Sequence, residues 1–228
     1  MAKRKSSFKT ATAAPPAAPN RRWPLLLVAA VLLLLAAAVF MLTRPNPEAK
    51  ETILPEKVAT RQYASAPPML IDVKKKYTAT VEMAKGGTFV IELFADKAPI
   101  TVNSFVFLAR DGYFDGVTFH RVLDGFMAQG GDPTGTGRGG PGYQFVNEDS
   151  DLKFDKAGMV AMANAGRNTN GSQFFITYDE QSYLNGGYTI FGQVTSGMEV
   201  VNALRRRNPD DRPTYAGDAI KTVRISEE

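Results

Sequence analysis

The chain has 228 residues, which is room for one domain of ordinary size and some additional segments. It has no cysteine and one histidine, which excludes disulfides, thiolate catalysis and cysteine-based zinc sites and disfavours a histidine-based one. The net charge of +4 is uneven, because residues 1–50 hold eight Lys or Arg and one acid, whereas residues 51–228 hold 19 basic and 22 acidic residues. The basic character therefore belongs to the N-terminal segment and does not predict a nucleic-acid-binding domain.

The N-terminal segment has the pattern of a membrane anchor. Residues 1–22 are basic and rich in alanine and proline, and we expect them to form a disordered cytoplasmic tail. The uncharged run LLLVAAVLLLLAAAVFML, residues 25–42, is long enough to cross most of a bilayer core. Trp23 at its edge and the basic residues before it match the aromatic-belt and positive-inside patterns. We predict a transmembrane signal anchor over residues 23–43, with the N-terminus in the cytoplasm and the remainder extracytoplasmic.

A cleaved signal peptide is the alternative interpretation of the same run. Residues 25–35 would be its apolar core and the alanines ending at Ala38 its cleavage site, which would give a secreted protein. The apolar run continues through residues 39–42, and this favours an anchor that is retained. Residues 44–70 are punctuated by proline and are expected to form an extended extracytoplasmic linker.

From about residue 71 onward the apolar residues mostly repeat with a period of two, which predicts strands. A hairpin is expected over residues 76–95, with its turn at residues 85–87. Further strands are predicted at residues 117–123, 125–130, 158–164, 173–177, 188–194 and 219–226.

Two segments predict helices instead. Residues 99–112 begin with proline and end at Gly112, with an apolar stripe between them. Residues 196–207 begin with the capping-box pair Ser196 and Glu199 and end in three arginines, expected as a solvated helix end. Together these elements predict a mainly β fold: a closed eight-stranded antiparallel barrel, capped by two α-helices and preceded by the transmembrane helix. Periodicity alone leaves a β-sandwich open.

The stretch FHRVLDGFMAQGGDPTGTGRGG, residues 119–140, combines one histidine, one arginine, one glutamine and bare apolar side chains. Its glycines do not match a nucleotide-binding loop, because neither a helix start nor a Lys-Ser or Lys-Thr pair follows; we expect a tight, exposed loop. His120 faces away from Arg121 on a strand and is expected to be structural, with satisfied nitrogens. The spacing of the nearby acids does not require a catalytic carboxylate pair. Asn170 begins a glycosylation sequon, a short pattern that is common by chance.

One reaction needs neither a nucleophile, a metal nor a cofactor, and we expect none of these here. Rotation about an Xaa–Pro amide makes and breaks no bond, yet peptide-bond rotation has a barrier of about 18–20 kcal/mol. Uncatalysed, it takes roughly tens to hundreds of seconds. A site that binds by shape and rearranges hydrogen bonds is sufficient for it.

Two long ungapped motifs carry a family resemblance. The stretch at residues 119–140, followed by MANAGRNTNGSQFFIT at residues 162–177, resembles the cyclophilin-type peptidyl-prolyl cis-trans isomerases. The similarity runs from about Tyr77 to the C-terminus, through FADKAPITVNSFVFLARDGYFDGVTFHRV, and leaves residues 1–70 outside. It implies an isomerase domain over residues 71–228. Together with the predicted anchor, this leads us to expect a membrane-anchored, bacterial-type member that assists the folding of exported or membrane-associated proteins.

The resemblance also implies an eight-stranded barrel with two capping helices and a proline-binding groove on its outer face. Arg121 matches the catalytic arginine, which donates a hydrogen bond to the prolyl nitrogen as that atom loses amide conjugation. The residues that match the pocket for the proline ring are Phe126, Met127, Phe175 and Leu184. The residues that match positions holding the substrate backbone or orienting the arginine are Gln129, Ala163, Asn164 and Gln173.

The sequence departs from the family pattern at three positions. Tyr183 and Tyr188 stand where well-studied eukaryotic members carry tryptophan and histidine, and both keep an aromatic wall in the groove. These replacements argue against tight cyclosporin binding more than against isomerase activity. Arg167 stands where those members usually carry proline and is a candidate for tuning substrate preference.

The expected partners are proline-containing polypeptides and the membrane, with no nucleic acid and with a monomer favoured. A membrane-tethered module that binds proline-containing segments with little turnover is the alternative from a different class. A structural envelope protein is a third, and it would not need an intact groove. The presence of Arg121 favours the enzyme.

Overall fold

The computed structural model describes residues 62–228, so the predicted transmembrane helix and most of the linker lie outside it. Within that part no helix is long and apolar enough to span a bilayer. The strands are β1 (Tyr77–Met83), β2 (Thr88–Leu93), β3 (Arg121–Leu123), β4 (Met127–Gly130), β5 (Met159–Met162), β6 (Phe174–Thr177), β7 (Ile190–Ser196) and β8 (Ile220–Glu227). The helices are α1 (Pro99–Arg110) and α2 (Met198–Asn202).

The eight strands form one antiparallel sheet in the order β3-β4-β6-β5-β7-β2-β1-β8, which excludes a sandwich. The predicted closed barrel is wrong, because the end strands β3 and β8 do not pair with each other in residues 62–228. The outer edge of β3 is occupied instead: Val122 and Arg207 exchange backbone hydrogen bonds of 2.7 and 2.9 Å. Between the two ends Thr118 makes only isolated bridges, to Ala219 and to Asp132. The sheet is therefore a strongly curved half-barrel.

The predicted hairpin is confirmed. β1 and β2 pair in register from Tyr77 opposite Leu93 to Glu82 opposite Thr88. Gly86, in the turn, has a φ of 93°, a conformation that glycine adopts without steric cost. The remaining predicted strands are confirmed in position, although several are shorter than predicted.

The concave side of the sheet is filled by aromatic residues and by α1. Phe105 of α1 lies edge-on to Phe174 of β6, with ring centroids 5.7 Å apart, and tilted against Phe191 of β7 at 5.4 Å. Phe174 and Phe191 are both fully buried. Edge-on aromatic packing of this kind adds to the free energy of burying the rings.

Helix α1 begins and ends as predicted. The backbone N–H groups of Ile100 and Thr101 donate to the Glu148 carboxylate at 2.8 Å each. These donors have no partner within the helix, and a negative charge at this end also suits the helix dipole. At the other end Gly112 has a φ of 67°, and the N–H of Tyr113 reaches back to Leu108.

We expect Glu148→Ala to lower the free energy of unfolding by about 1–2 kcal/mol, because two helix donors lose a charged acceptor. Urea unfolding followed by circular dichroism measures this directly. Glu180→Ala is the matched control, since this exposed carboxylate has no ion-pair partner in the described part of the chain. An equal loss in both variants would contradict the capping role.

The second predicted helix is largely wrong. Helix α2 has five residues, and Ser196 is the last residue of β7, so the capping box does not form. Gly197 takes the cap position with a φ of 79°. The arginines do not end a helix: Arg207 is half-buried and donates to the carbonyl of His120 at 2.6 Å. Its backbone must be extended to pair with Val122, and this is incompatible with a continuing helix.

Candidate active site

Strands β3, β4 and β6 place three polar or aromatic side chains in one row. Arg121 lies opposite Gln129, and Gln129 lies opposite Phe175. Successive side chains on a strand point to opposite faces, so their neighbours Val122 and Phe174 point into the core. The arrangement puts the row on the outer face of the half-barrel.

A groove of about 220 Å³ lies on this face. It is lined by Arg121, Phe126, Met127, Gln129, Ala163, Asn164, Phe175, Leu184 and Tyr188. All nine were predicted as site residues from the family resemblance. Gln173 lies beside the groove, hydrogen-bonded to Gln129, and Tyr183 stands at its rim with 72% of its surface exposed. The structure thus brings the predicted residues together.

The floor of the groove is apolar and held in place by packing. Phe175 is stacked on Phe154 behind it, with centroids 5.7 Å apart and planes inclined by 18°. Tyr188 meets Phe175 edge-on at 5.3 Å. Met127 and Leu184 are buried in the same cluster. This floor suits a small apolar ring, and Phe154, a buried phenylalanine in a polar stretch, is the supporting residue that sequence reasoning missed.

Arg121 stands at one side of the floor. Its guanidinium carbon lies 5.7 Å from the centre of the Phe126 ring, and Nη1 lies 3.9 Å from Met127 Sδ. None of the ion pairs in residues 62–228 involves Arg121. Its N–H groups can therefore donate to a molecule in the groove without first breaking an ion pair to a described residue.

A chain of amides fixes the polar side of the groove. Gln129 Nε2 donates to Gln173 Oε1 at 2.9 Å, and Gln173 Nε2 donates to the carbonyl of Gly139 at 2.9 Å. The backbone N–H of Ala163 donates to the carbonyl of Gln173 at 2.9 Å. Asn164 is held by its own side chain, which donates to Gly187 at 3.3 Å. These contacts hold the wall in position before a substrate arrives.

The loop after β4 is exposed, as predicted, and is built around a buried carboxylate. Asp132 accepts hydrogen bonds from the backbone N–H of Thr134 at 2.7 Å and of Gly137 at 2.6 Å. Burial opposes ionisation of Asp132, but the hydrogen bonds from Thr134 and the loop backbone outweigh it and hold its pKa below the ordinary value. Gly131 starts this loop with a φ of 83°, where a Cβ would lie 2.2 Å from the Ser172 carbonyl oxygen.

His120 is buried, and the prediction that its ring nitrogens are satisfied is wrong. The side chain is 2% exposed, and neither ring nitrogen has a hydrogen-bond partner in the described chain. Burial disfavours the imidazolium and lowers the pKa of His120; Arg207 and Arg121 act in the same direction, against the opposing charge of Asp132.

We expect the stability of the protein to fall because of His120 in a pH window that begins near the ordinary pKa of about 6.5 and extends down to the lowered pKa of the folded protein. The unfolded chain binds a proton at the ordinary pKa and the folded chain only at a lower one, so the neutral form stabilises the fold above this window. The slope is at most about 1.4 kcal/mol per pH unit for one group. Urea unfolding at a series of pH values measures this slope. In the His120→Phe variant the free energy of unfolding should depend less on pH within the window, because the chain has no other histidine. An unchanged slope in the variant would contradict this assignment.

Two other residues singled out by sequence have ordinary structural partners. Asn170 is fully buried and its side chain donates to the carbonyl of Val146 at 3.0 Å, so the sequon is closed to glycosylation in the folded protein. Arg167 is exposed and forms an ion pair with Asp149.

The comparisons with known proteins agree with this fold. Residues 78–225 match the family model described as cyclophilin type peptidyl-prolyl cis-trans isomerase/CLD. The chain is 49% identical over 154 residues to the peptidyl-prolyl cis-trans isomerase ppi1 of Schizosaccharomyces pombe, covering 64% of this chain and 99% of that protein. It is 49% identical over 144 residues to human peptidyl-prolyl cis-trans isomerase-like 1, covering 60% of this chain and 85% of that protein.

A solved relative shares the fold. The cyclophilin type peptidyl-prolyl cis-trans isomerase of Cryptosporidium parvum, crystallised in the presence of the dipeptide Ala-Pro, superposes with a TM-score of 0.60 at 36% identity. The match covers 66% of this chain and 99% of that one.

A half-barrel with an arginine beside a groove with an apolar floor defines the class of the protein as a cyclophilin-like isomerase. The chain belongs to the cyclophilin-type peptidyl-prolyl cis-trans isomerase family, and its activity is isomerisation of Xaa–Pro peptide bonds. The relatives named above are eukaryotic, which gives no support to the expected bacterial type.

Proposed function

We propose that the groove performs the isomerisation by gripping the proline ring while the preceding carbonyl turns beside Arg121. The observation that carries this is the location of Arg121, which has no carboxylate partner among the described residues and borders an apolar floor large enough for one ring. Phe126, Met127, Phe175 and Leu184 hold the ring. Gln129 and Asn164 hold the substrate backbone.

The catalytic effect of Arg121 follows from the electronic change during rotation. In the planar amide the nitrogen lone pair is delocalised, whereas in the twisted amide it is a localised acceptor. A donor placed there stabilises the transition state more than the bound substrate, which is the condition for catalysis. Such a hydrogen bond contributes about 1.5–3 kcal/mol, whereas an acceleration of about 10⁵ needs about 7 kcal/mol. The remainder comes from holding the ring and from an apolar floor that favours the less polar twisted amide.

The substrates in this proposal are proline-containing polypeptides. The relative crystallised in the presence of Ala-Pro supports this assignment. The reaction itself calls for no metal or cofactor, because rotation about the amide makes and breaks no bond.

The enzyme assignment is tested by measuring exchange and binding together. The full chain and a series of Xaa–Pro peptides would be followed by NMR exchange spectroscopy, which reports the rate between the cis and trans forms. The proposal predicts strong, saturable acceleration. Saturable binding without acceleration would mean a module that only recognises proline-containing segments.

We further propose that the chain is a monomer tethered by residues 23–43, with the isomerase domain outside the cytoplasm, assisting the folding of exported or membrane-associated proteins. The apolar run and its basic flank support the tether. Alkaline extraction of membranes, with an immunoblot against a standard of residues 39–228, tests it. Full-length protein in the membrane pellet is expected, and a soluble band at the size of the standard would mean cleavage near Ala38.

A further inference from the structure

A second, larger cavity adjoins the groove. Its volume is about 910 Å³, and it shares Gln129, Ala163 and Asn164 with the groove. A peptide whose proline occupies the groove therefore has neighbouring residues within reach of this side cavity. Its lining is mainly glycine and side-chain amides, with Arg138 as its one charged side chain among the described residues. The amides belong to Gln62, Gln129, Gln144, Asn164 and Gln173.

One of these amides comes from outside the family domain. Gln62 belongs to residues 62–71, here called the N-terminal arm, whereas the family match begins at residue 78. Gln62 Nε2 donates to the carbonyl of Gly140 at 2.8 Å, and the next backbone N–H, that of Tyr63, donates to Pro141 at 2.8 Å. The arm therefore lies along the loop that forms the cavity wall.

The contact depends on a glycine in that loop. Gly142 has a φ of +94°, and a Cβ there would lie 2.6 Å from the carbonyl oxygen of Tyr63. Any other residue would push the arm away from the wall. The loop is thus shaped to accept the arm at close range.

The arm is also fixed to the body of the domain at two further points. The ring of Tyr63 lies edge-on to Phe107 of α1 at 5.1 Å, and its hydroxyl donates to Asp111 at 2.6 Å. Further along, the N–H of Leu70 donates to Asn103 Oδ1 at 2.7 Å, and Asn103 Nδ2 donates to Pro68 at 2.9 Å. Because both anchors lie on α1 or directly after it, the position of Gln62 is determined by the fold.

We propose that Gln62 is a specificity-determining residue, through which the N-terminal arm selects the residues that flank the substrate proline. Its side chain, held against the loop by the bond to Gly140, adds an uncharged polar surface to the cavity wall beside the residues that flank the substrate proline. The inference rests on the isomerase activity of the groove. It adds to that activity a wall that the family domain alone does not contain.

Introducing a charge of either sign at Gln62 tests this in the full chain. Peptides would carry Glu or Lys two or three positions before or after proline, and a peptide with glycine at these positions would serve as the reference. With Gln62→Lys we expect the ratio of kcat/KM for Glu-flanked over Lys-flanked peptides to rise about threefold, and with Gln62→Glu to fall about threefold. Gln62 is exposed, so both variants should fold.

Ser65→Lys and Ser65→Glu are the matched controls, because Ser65 is an exposed arm residue that does not line the cavity. The same ratios in the Gln62 variants as in wild type, or equal shifts in the Ser65 variants, would overturn the proposal. If the wild-type chain does not accelerate isomerisation of the glycine-flanked peptide, the groove assignment itself is overturned. The failure of this proposal and the failure of the proposed function are therefore distinguishable.

Discussion

Replacing Arg121 by alanine should lower kcat/KM for an Xaa–Pro peptide by about 10- to 150-fold. This is the kinetic equivalent of losing a charge-assisted hydrogen bond of about 1.5–3 kcal/mol made in the transition state. The side chain lies at the groove without an ion pair in residues 62–228, so its removal breaks no salt bridge there. The fold should persist, because the side chain is only half-buried and its neighbours pack without it.

Two further variants separate the hydrogen bond from charge alone. Arg121→Lys keeps the charge but lacks the planar fork of donors, and we expect it to recover only part of the activity. Arg224→Ala removes an exposed arginine of β8, at the opposite end of the sheet order from β3, and should leave kcat/KM within twofold of wild type. An Arg121→Ala variant with wild-type kinetics would remove Arg121 from the mechanism.

Replacing Phe174 by alanine should lower the free energy of unfolding by about 3–5 kcal/mol, the range for emptying a buried phenylalanine site. The ring is fully buried, edge-on to Phe105 at 5.7 Å, to Phe114 at 5.8 Å and to Phe119 at 6.0 Å. The surrounding rings are rigid and cannot fill the cavity that the substitution leaves, so the full cost of the cavity is expected. Denaturant unfolding measures the loss, and the midpoint should move without a large change in slope.

Phe126→Ala is the matched control on the outer surface. Phe126 is only half-buried and touches the groove, with Tyr183 at 6.1 Å and Arg121 at 5.7 Å. We expect less than half the stability loss of Phe174→Ala and a raised KM, because the proline pocket loses one wall. Equal destabilisation by the two substitutions would show that the outer cluster carries as much of the fold as the core.

The sequence predicted those parts of the fold that depend on local patterns. The hairpin at residues 76–95 and helix α1 follow from alternation, from glycines in the turn and from proline at the helix start. The closed barrel and the long second helix were wrong for one shared reason. Arg207 pairs with Val122, which is 85 residues earlier (207 − 122 = 85), and this contact both occupies the edge of β3 and ends the helical segment. Neither a valine nor an arginine in the sequence predicts such a pairing.

The groove was predicted from the family resemblance that two motifs carry, and alternation on β3, β4 and β6 explains why Arg121, Gln129 and Phe175 share one face. Leu184 and Tyr188 lie outside both motifs and were predicted from the same resemblance. The residues that support the groove were harder to predict from the sequence. Phe154 stacks behind Phe175, although the segment around it has no periodic pattern. Gln62 reaches the cavity because Tyr63 docks on α1 and Gly142 leaves space, and these contacts depend on the folded backbone.

The most direct test of the mechanism compares binding with rotation in the Arg121→Ala variant. The Kd for an Ala-Pro peptide and the cis–trans exchange rate at saturating enzyme would be measured on the same samples. If Arg121 acts on the twisted amide, Kd should change by less than about threefold while exchange in the complex falls at least tenfold. A Kd that weakens in proportion to the loss of kcat/KM, with unchanged exchange in the complex, would contradict this account and make Arg121 a residue that only holds the substrate.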